Sequence, residues 1–307
     1  MKNREEYNYE FVKEYLLNNL SLIIAGPSCD EDRTHYIADQ FKDSSIPIVY
    51  LDYENSPAGQ YSISFWKDGI CTKRKTDYVH LHSILDQLPS VSYKCVLVDI
   101  TSMQHSVIMY LTYILIKKMR VAQLFMSYVK PEEYLNRTIS GKYELYSSTT
   151  PPRAIPGMLA RNKPNEIIIP FLGFDGDRFN NIIEGMNYDD IYPIIGFPSD
   201  NPYWHIESLR NCMLCLKNTS SELNIRKCKA NSIYDAYNTL DEIIAENPQK
   251  SFVLVPIGTR PHSIACSALY AKHQNNVRII YDFAEEVPVR SRGVHSVAIY
   301  NLSPLLV

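Results

Sequence analysis

The segment Gly258-Thr259-Arg260-Pro261-His262-Ser263 gathers more chemistry than any other stretch of this chain. Gly258 allows close backbone approach or a positive φ. Thr259 and Ser263 carry hydroxyls that can donate to phosphate or ribose. Arg260 can hold a phosphate with two parallel hydrogen bonds, and Pro261 suits a first helical turn. His262, beside a helix start, is expected to have a lowered pKa. The segment reads either as an anion-binding loop or as a capped helix start with Arg260 in solvent. Its counterpart in the first half runs from Asp99 through Thr101 to His105-Ser106. Asp99, at a strand end, could accept from ribose hydroxyls or position a water. His105 and His262 are the candidates for acid–base work.

Other loops offer similar groups. Gly173, Asp175 and Arg178 follow an apolar run, as do Asp32 and Arg33 earlier in the chain. The aspartates read as helix caps or as ligand contacts, and the arginines as helix charges or as anion contacts. Arg290 and Arg292 flank Ser291 in a loop that could take an anion. Cys212 and Cys215 form a CxxC pair, but it lies on an apolar helical face with no second close pair. Four ligands are needed for structural zinc, so the cysteines read as core. The sequence asks for no cofactor and no metal, and it holds no P-loop, GxGxxG, GxSxG or HExxH string.

These loops need elements to position them. Apolar runs without alternation, such as LIIA, CVLVDI, EIIIPF and SFVLVP, alternate with helical stretches. That is the pattern of strands in a parallel sheet covered on both faces. Helices are expected over 5–19, 35–41, 79–88, 105–119, 178–186, 202–216, 234–247 and 262–273, and the run 294–302 is expected to close the second sheet. A Pro-rich stretch interrupts the rhythm. The expected organisation is an N-terminal domain over 1–138, a junction over 139–164 and a C-terminal domain over 165–307.

The two halves resemble each other. VLVDITSMQHS (96–106) and VLVPIGTRPHS (253–263) share six of their positions without a gap, and LIIAGPSCDEDR (22–33) parallels IIIPFLGFDGDR (167–178) in the same order. The expected fold class is therefore α/β: two Rossmann-like domains with mainly parallel sheets, related by internal duplication. In such sheets the loops after the strands gather on one rim, where helix N-termini favour anionic ligands.

With 45% hydrophobic and 21% charged residues, the composition is that of a globular chain rather than a disordered one. A net charge of -3 disfavours a broad basic surface, which leaves nucleic-acid binding open only for a local cleft. No apolar run reaches the roughly 20 residues needed to span a bilayer, so no membrane association is expected. Seven cysteines behind a charged, polar start point to a reducing cytoplasm.

Asp99-Ile100-Thr101, Gly258-Thr259-Arg260-Pro261 and Gly173-Phe174 are similar to the loops of CRISPR-associated Rossmann fold (CARF-like) domains. Neither long loop carries the full Gly-Gly-Thr-Lys string of that family. The resemblance implies a tandem sensor that binds a nucleotide or cyclic oligonucleotide, as a regulatory component of a prokaryotic antiviral defence system. Contacts would come from Gly258, Thr259, Arg260, His262, Ser263, Asp99, Thr101, Gly173, Asp175, Arg178, Arg290 and Arg292. A protein partner or homo-oligomer is expected. Two other readings stand beside it: a metal-independent enzyme cleaving a nucleotide or phosphodiester through His105 or His262, and a structural subunit of a larger complex.

Overall fold

A computed structural model of the chain describes residues 6–27, 31–53, 60–67, 70–77, 80, 94–135, 145–158, 162–184, 186–287, 289 and 291–306. Strand β1 (Glu6–Asn8) leads into helix α1 (Tyr9–Asn19), where the Asn8 side chain accepts from the Glu10 N–H and caps the first turn. Strand β2 (Leu22–Ala25) is apolar and buried throughout. A single turn follows, α2 (Tyr36–Asp39), shorter than the helix expected over 35–41. Then come β3 (Ile48–Tyr53), the hairpin β4 (Gln60–Lys67) and β5 (Ile70–Asp77), and β6 (Cys95–Asp99). The helix expected at 79–88 lies outside the described residues apart from His80. Helix α3 (His105–Tyr113) continues as a π-helical segment, Ile114–Lys118, before β7 (Gln123–Lys130).

The second part of the chain contains β8 (Glu166–Phe171), α4 (Gly176–Ile183), β9 (Ile194–Gly196), α5 (Trp204–Asn218) and β10 (Arg226–Cys228). It continues with α6 (Ile233–Glu246), β11 (Ser251–Pro256), α7 (Arg260–Lys272), β12 (Val277–Tyr281) and β13 (Ser296–Asn301).

The architecture is α/β, with mixed sheets built around parallel strands, and the chain divides into two compact units. The first comprises Met1–Gln104, Ile114–Leu135 and Pro288–Val307; the second comprises His105–Tyr113 and Asn136–Val287. This is not the single cut expected at 139–164, because α3 and the C-terminal segment each group with the other half's unit. The first unit holds an eight-stranded sheet in the order β1-β13-β7-β6-β2-β3-β4-β5. Its inner strands β7-β6-β2-β3 are parallel and the flanking strands antiparallel. One face packs a core of Val12, Leu16, Ile23, Ile37, Phe41, Leu97 and Phe125. Each such side chain contributes about 1.5–3 kcal/mol when fully buried.

The run 294–302 corrects an expectation. Strand β13 does not close the second sheet but pairs antiparallel with β7, from Ser296 opposite Lys130 to Asn301 opposite Phe125. Its apolar alternation suits any half-buried edge, so local pattern could not choose the sheet. The second unit's sheet runs β12-β11-β8-β9-β10, all parallel, with the short piece Arg153–Ala154 antiparallel on the outer side of β12. No helix among the described residues is long and apolar enough to cross a membrane.

Candidate functional site

Residues opposite one another in a sheet project from the same face. At the carboxyl edge of the first unit, Ala25 of β2 lies opposite Tyr50 of β3 on one side and Asp99 of β6 on the other. Asp99 in turn lies opposite Ser127 of β7. The row Tyr50–Ala25–Asp99–Ser127 therefore sets a carboxyl and a hydroxyl in line with an aromatic ring, with the buried Ala25 methyl between ring and carboxyl.

Asp99 is 2% exposed. Its Oδ1 accepts from the Thr101 hydroxyl at 2.6 Å and from the Thr101 N–H at 3.1 Å. The Thr101 oxygen also accepts from the Val129 N–H at 3.1 Å, which ties the end of β6 to β7. Ser127 is fully buried, and its hydroxyl interacts with the Asp99 carboxyl, favouring the charged form. No cation forms an ion pair with Asp99 among the described residues. Burial accordingly raises the Asp99 pKa above the usual carboxylate range, against the opposing pull of the Thr101 hydrogen bonds and of His35. Burial likewise raises the Tyr50 phenol.

His35 completes the wall. Its ring lies 4.8 Å from that of Tyr50, and its Nε2 lies 2.9 Å from the Gly26 carbonyl, to which it donates. The residue has φ of 56°, a left-handed conformation uncommon outside glycine. Gly26 is required by packing: a Cβ there would come within 2.7 Å of Ser102 Oγ and 2.9 Å of Met103 Cγ.

The carboxyl edge of the second unit is packed with aromatic rings. Phe171 of β8 lies opposite Ile194 and Pro256, and the His262 ring stacks on it at 4.4 Å and 25°. His262 is 1% exposed; its Nδ1 accepts from the Thr259 N–H at 3.1 Å, and its Nε2 lies 3.6 Å from Cys228 Sγ. Burial lowers its pKa to about 3, so the ring is neutral at physiological pH and its lone pair is engaged in holding the helix start. The Thr259 hydroxyl donates to the Ala230 carbonyl at 2.6 Å. Arg260 is not in solvent: it is buried and donates from Nη2 to Glu286 at 3.0 and 3.2 Å. Ser263 is buried against His105, whose Nδ1 lies 2.7 Å from its Oγ and whose ring stacks on Tyr281. A Cβ on Gly258 would meet His262 Nδ1 at 2.5 Å, and one on Gly173 would strike the Ile257 carbonyl. Both glycines permit tight backbone packing.

The remaining candidates are also engaged within the fold. Asp175 caps α4 by accepting from the N–H groups of Asp177 and Arg178. Arg178 is buried in a two-pronged pair with Asp282, at 2.7 and 2.6 Å, and lies 4.0 Å from the Tyr146 ring centroid. Arg33 is buried too, donating to Glu31, Ser291 and the Val129 carbonyl. Arg292 is exposed and paired with Glu133, while Arg290 lies outside the described residues. Cys212, Cys215 and Cys228 are buried, with thiols pushed up to about 12, 11 and 12.

Of the residues singled out in the sequence, the structure thus gathers Asp99 and Thr101 at one rim. In the second unit it packs Gly173, Gly258, Thr259, Arg260, His262, Ser263 and His105 around the start of α7. Sequence reasoning missed Ala25, His35, Tyr50 and Ser127. The one available signal was a small residue ending the apolar run LIIA, where the run EIIIPF continues one residue past the proline that matches Ala25, to phenylalanine. Comparison with protein-family models and with curated proteins finds no match to the chain.

Proposed function

We propose that this protein is a nucleotide-binding sensor or regulatory subunit, with its ligand held at the carboxyl edge of the first unit. The observation that carries the reading is the row Tyr50–Ala25–Asp99–Ser127. A flat base can stack on the half-buried rings of Tyr50 and His35; the neighbouring Ala25 methyl is itself part of the core. In this reading Asp99 and Ser127 take the hydroxyl donors of a ribose; both are buried, so the ligand reaches them only when the strand-end edge opens. A buried carboxyl repels an anion, so the nucleoside end faces Asp99 and the phosphate points away. Sensing within an antiviral defence system, and a cytoplasmic location, follow from the family resemblance and cysteine usage as parts of the same proposal.

The proposed scaffold is a pair of Rossmann-like units descended from one duplicated ancestor. Three parallels support it. In each sheet the first parallel strand, β2 or β8, lies between the second and the strand matched in the repeat, giving β3-β2-β6-β7 and β9-β8-β11-β12. In each unit a glycine shortly after that first strand, Gly26 or Gly173 though not at matched repeat positions, packs against the loop after the matched one. Arg33 and Arg178, matched in the repeat, are both buried near a tyrosine of the last parallel strand, Tyr128 at 5.9 Å and Tyr281 at 5.5 Å. The cleavage reading has less support, because His262 spends its lone pair on Thr259 and His105 is buried against Ser263 and Tyr281.

The test is thermal stabilisation by mono-, di- and cyclic nucleotides at millimolar concentration. Ligand at about 100 times its Kd stabilises by about 2.7 kcal/mol. A stabilising compound should lose its effect in Tyr50→Ala, which removes the stacking ring, and in Asp99→Asn. Absence of stabilisation by every compound, or stabilisation unchanged in both variants, would overturn the assignment.

A further inference from the structure

Two helices carry exposed faces that are apolar and oppositely charged. On α5 and at its N-cap, Tyr203, Ile206, Arg210, Leu214 and Lys217 recur at spacings of three and four, so they form one stripe. Tyr203 is 72% exposed, Ile206 54% and Leu214 74%; Arg210 and Lys217 are exposed with them. The buried residues Ser208, Cys212, Cys215 and Leu216 lie on the opposite face. On α1, the exposed face holds Glu10, Phe11, Glu14, Leu17 and Asn18, opposite the buried Tyr9, Val12 and Leu16. Phe11 is 84% exposed and Leu17 41%. Among the described residues, Glu14, Arg210 and Lys217 have no ion-pair partner within the chain.

We infer that α1 of one copy of this chain docks on α5 of a second copy. Phe11 and Leu17 supply the apolar contact against Ile206 and Leu214, while Glu10 and Glu14 face Arg210 and Lys217. The complementarity of charge selects this pairing over α5 on α5, which would oppose Arg210 to Arg210, and over α1 on α1, which would oppose Glu14 to Glu14. A contact between two different faces is heterologous, so copies join head to tail unless two such contacts close a dimer. The area of a single helix pair is small by the standard of stable complexes, so the association is weak and shows at high protein concentration. Its ion pairs are exposed and therefore sensitive to salt.

Sedimentation velocity of the full chain from micromolar to several hundred micromolar tests this directly. The weight-average mass should rise with concentration, and the rise should shrink at high salt. Glu14→Arg alone and Arg210→Glu alone should each weaken association about tenfold or more, a change of about 1.4 kcal/mol. Mixing the two variants should restore it, since every contact between unlike copies then joins opposite charges. Circular dichroism establishes that both surface variants fold. A chain that stays monomeric throughout the range, association indifferent to both reversals, or a mixture that fails to reassociate would each overturn the inference.

Discussion

The ring of His262 lies on the ring of Phe171, with centroids 4.4 Å apart, at the strand-end position where the first unit has Ala25 beside Asp99. One unit covers its carboxyl edge with two aromatic rings; the other buries a methyl group and a carboxyl there, beside the half-buried Tyr50. This difference in side-chain volume moves the candidate site from the Gly258–Ser263 loop to the row around Asp99.

His262 should weigh on stability in acid. Its folded pKa is lowered to about 3, below the ordinary value of about 6.5. The unfolded chain therefore binds a proton that the folded chain refuses, and stability falls as pH drops from about 6.5 towards 3. His262→Gln keeps an acceptor for the Thr259 N–H but loses the stacked ring, and should cost about 1–2 kcal/mol at pH 7. Urea denaturation at pH 7 and pH 4 should show that cost shrinking in acid; a constant difference would count against a neutral, buried His262.

Asp99 should act in the opposite direction along the pH axis. Its folded pKa is raised by burial, so its contribution is fully present below the usual carboxylate range and is lost as pH rises through the folded value. Asp99→Asn can still accept from Thr101 and carries no charge to bury. The variant should gain on the parent protein as pH rises from 4 to 8, as read from melting temperatures across that range. Parallel curves for the two proteins would contradict a raised carboxyl.

Removing one partner of the Arg178–Asp282 pair strands a buried charge. Both side chains are 2% exposed, so Arg178→Met should destabilise by about 3–5 kcal/mol. The double variant Arg178→Met with Asp282→Leu should recover much of the loss, because neither charge is then buried alone. Chemical denaturation of both single variants and the double gives the coupling, and strict additivity would contradict it.

Arg260 has a structural role that its loop position concealed. It is 5% exposed and paired with Glu286, so Arg260→Ala should lower stability in the absence of ligand by about 1–3 kcal/mol. Lysine at this position should recover part of the loss by restoring charge without the planar fork. A melting temperature unaffected by the alanine substitution would indicate that the Glu286 contact contributes little in solution.

The alternation of apolar runs with amphipathic stretches determined the class of fold. Burying Leu22–Ala25, Cys95–Asp99, Glu166–Phe171 and Ser251–Pro256 requires helices on both faces of parallel strands, and that demand is written in local composition. Turn chemistry also offered Asp175 as a helix cap, which the structure bears out, whereas the helix expected from 262 begins at Arg260 with Thr259 as its cap. Only the tertiary structure decided which sheet received Ser296–Asn301, because an edge strand of alternating character fits many partners. It alone aligned Tyr50, Ala25, Asp99 and Ser127, which lie far apart in the chain and meet through strand register. It also turned Arg260, Arg178 and His262 inward. Burial of a charged or titratable group depends on a partner arriving from elsewhere in the chain, and nothing in the residues beside it announces that partner.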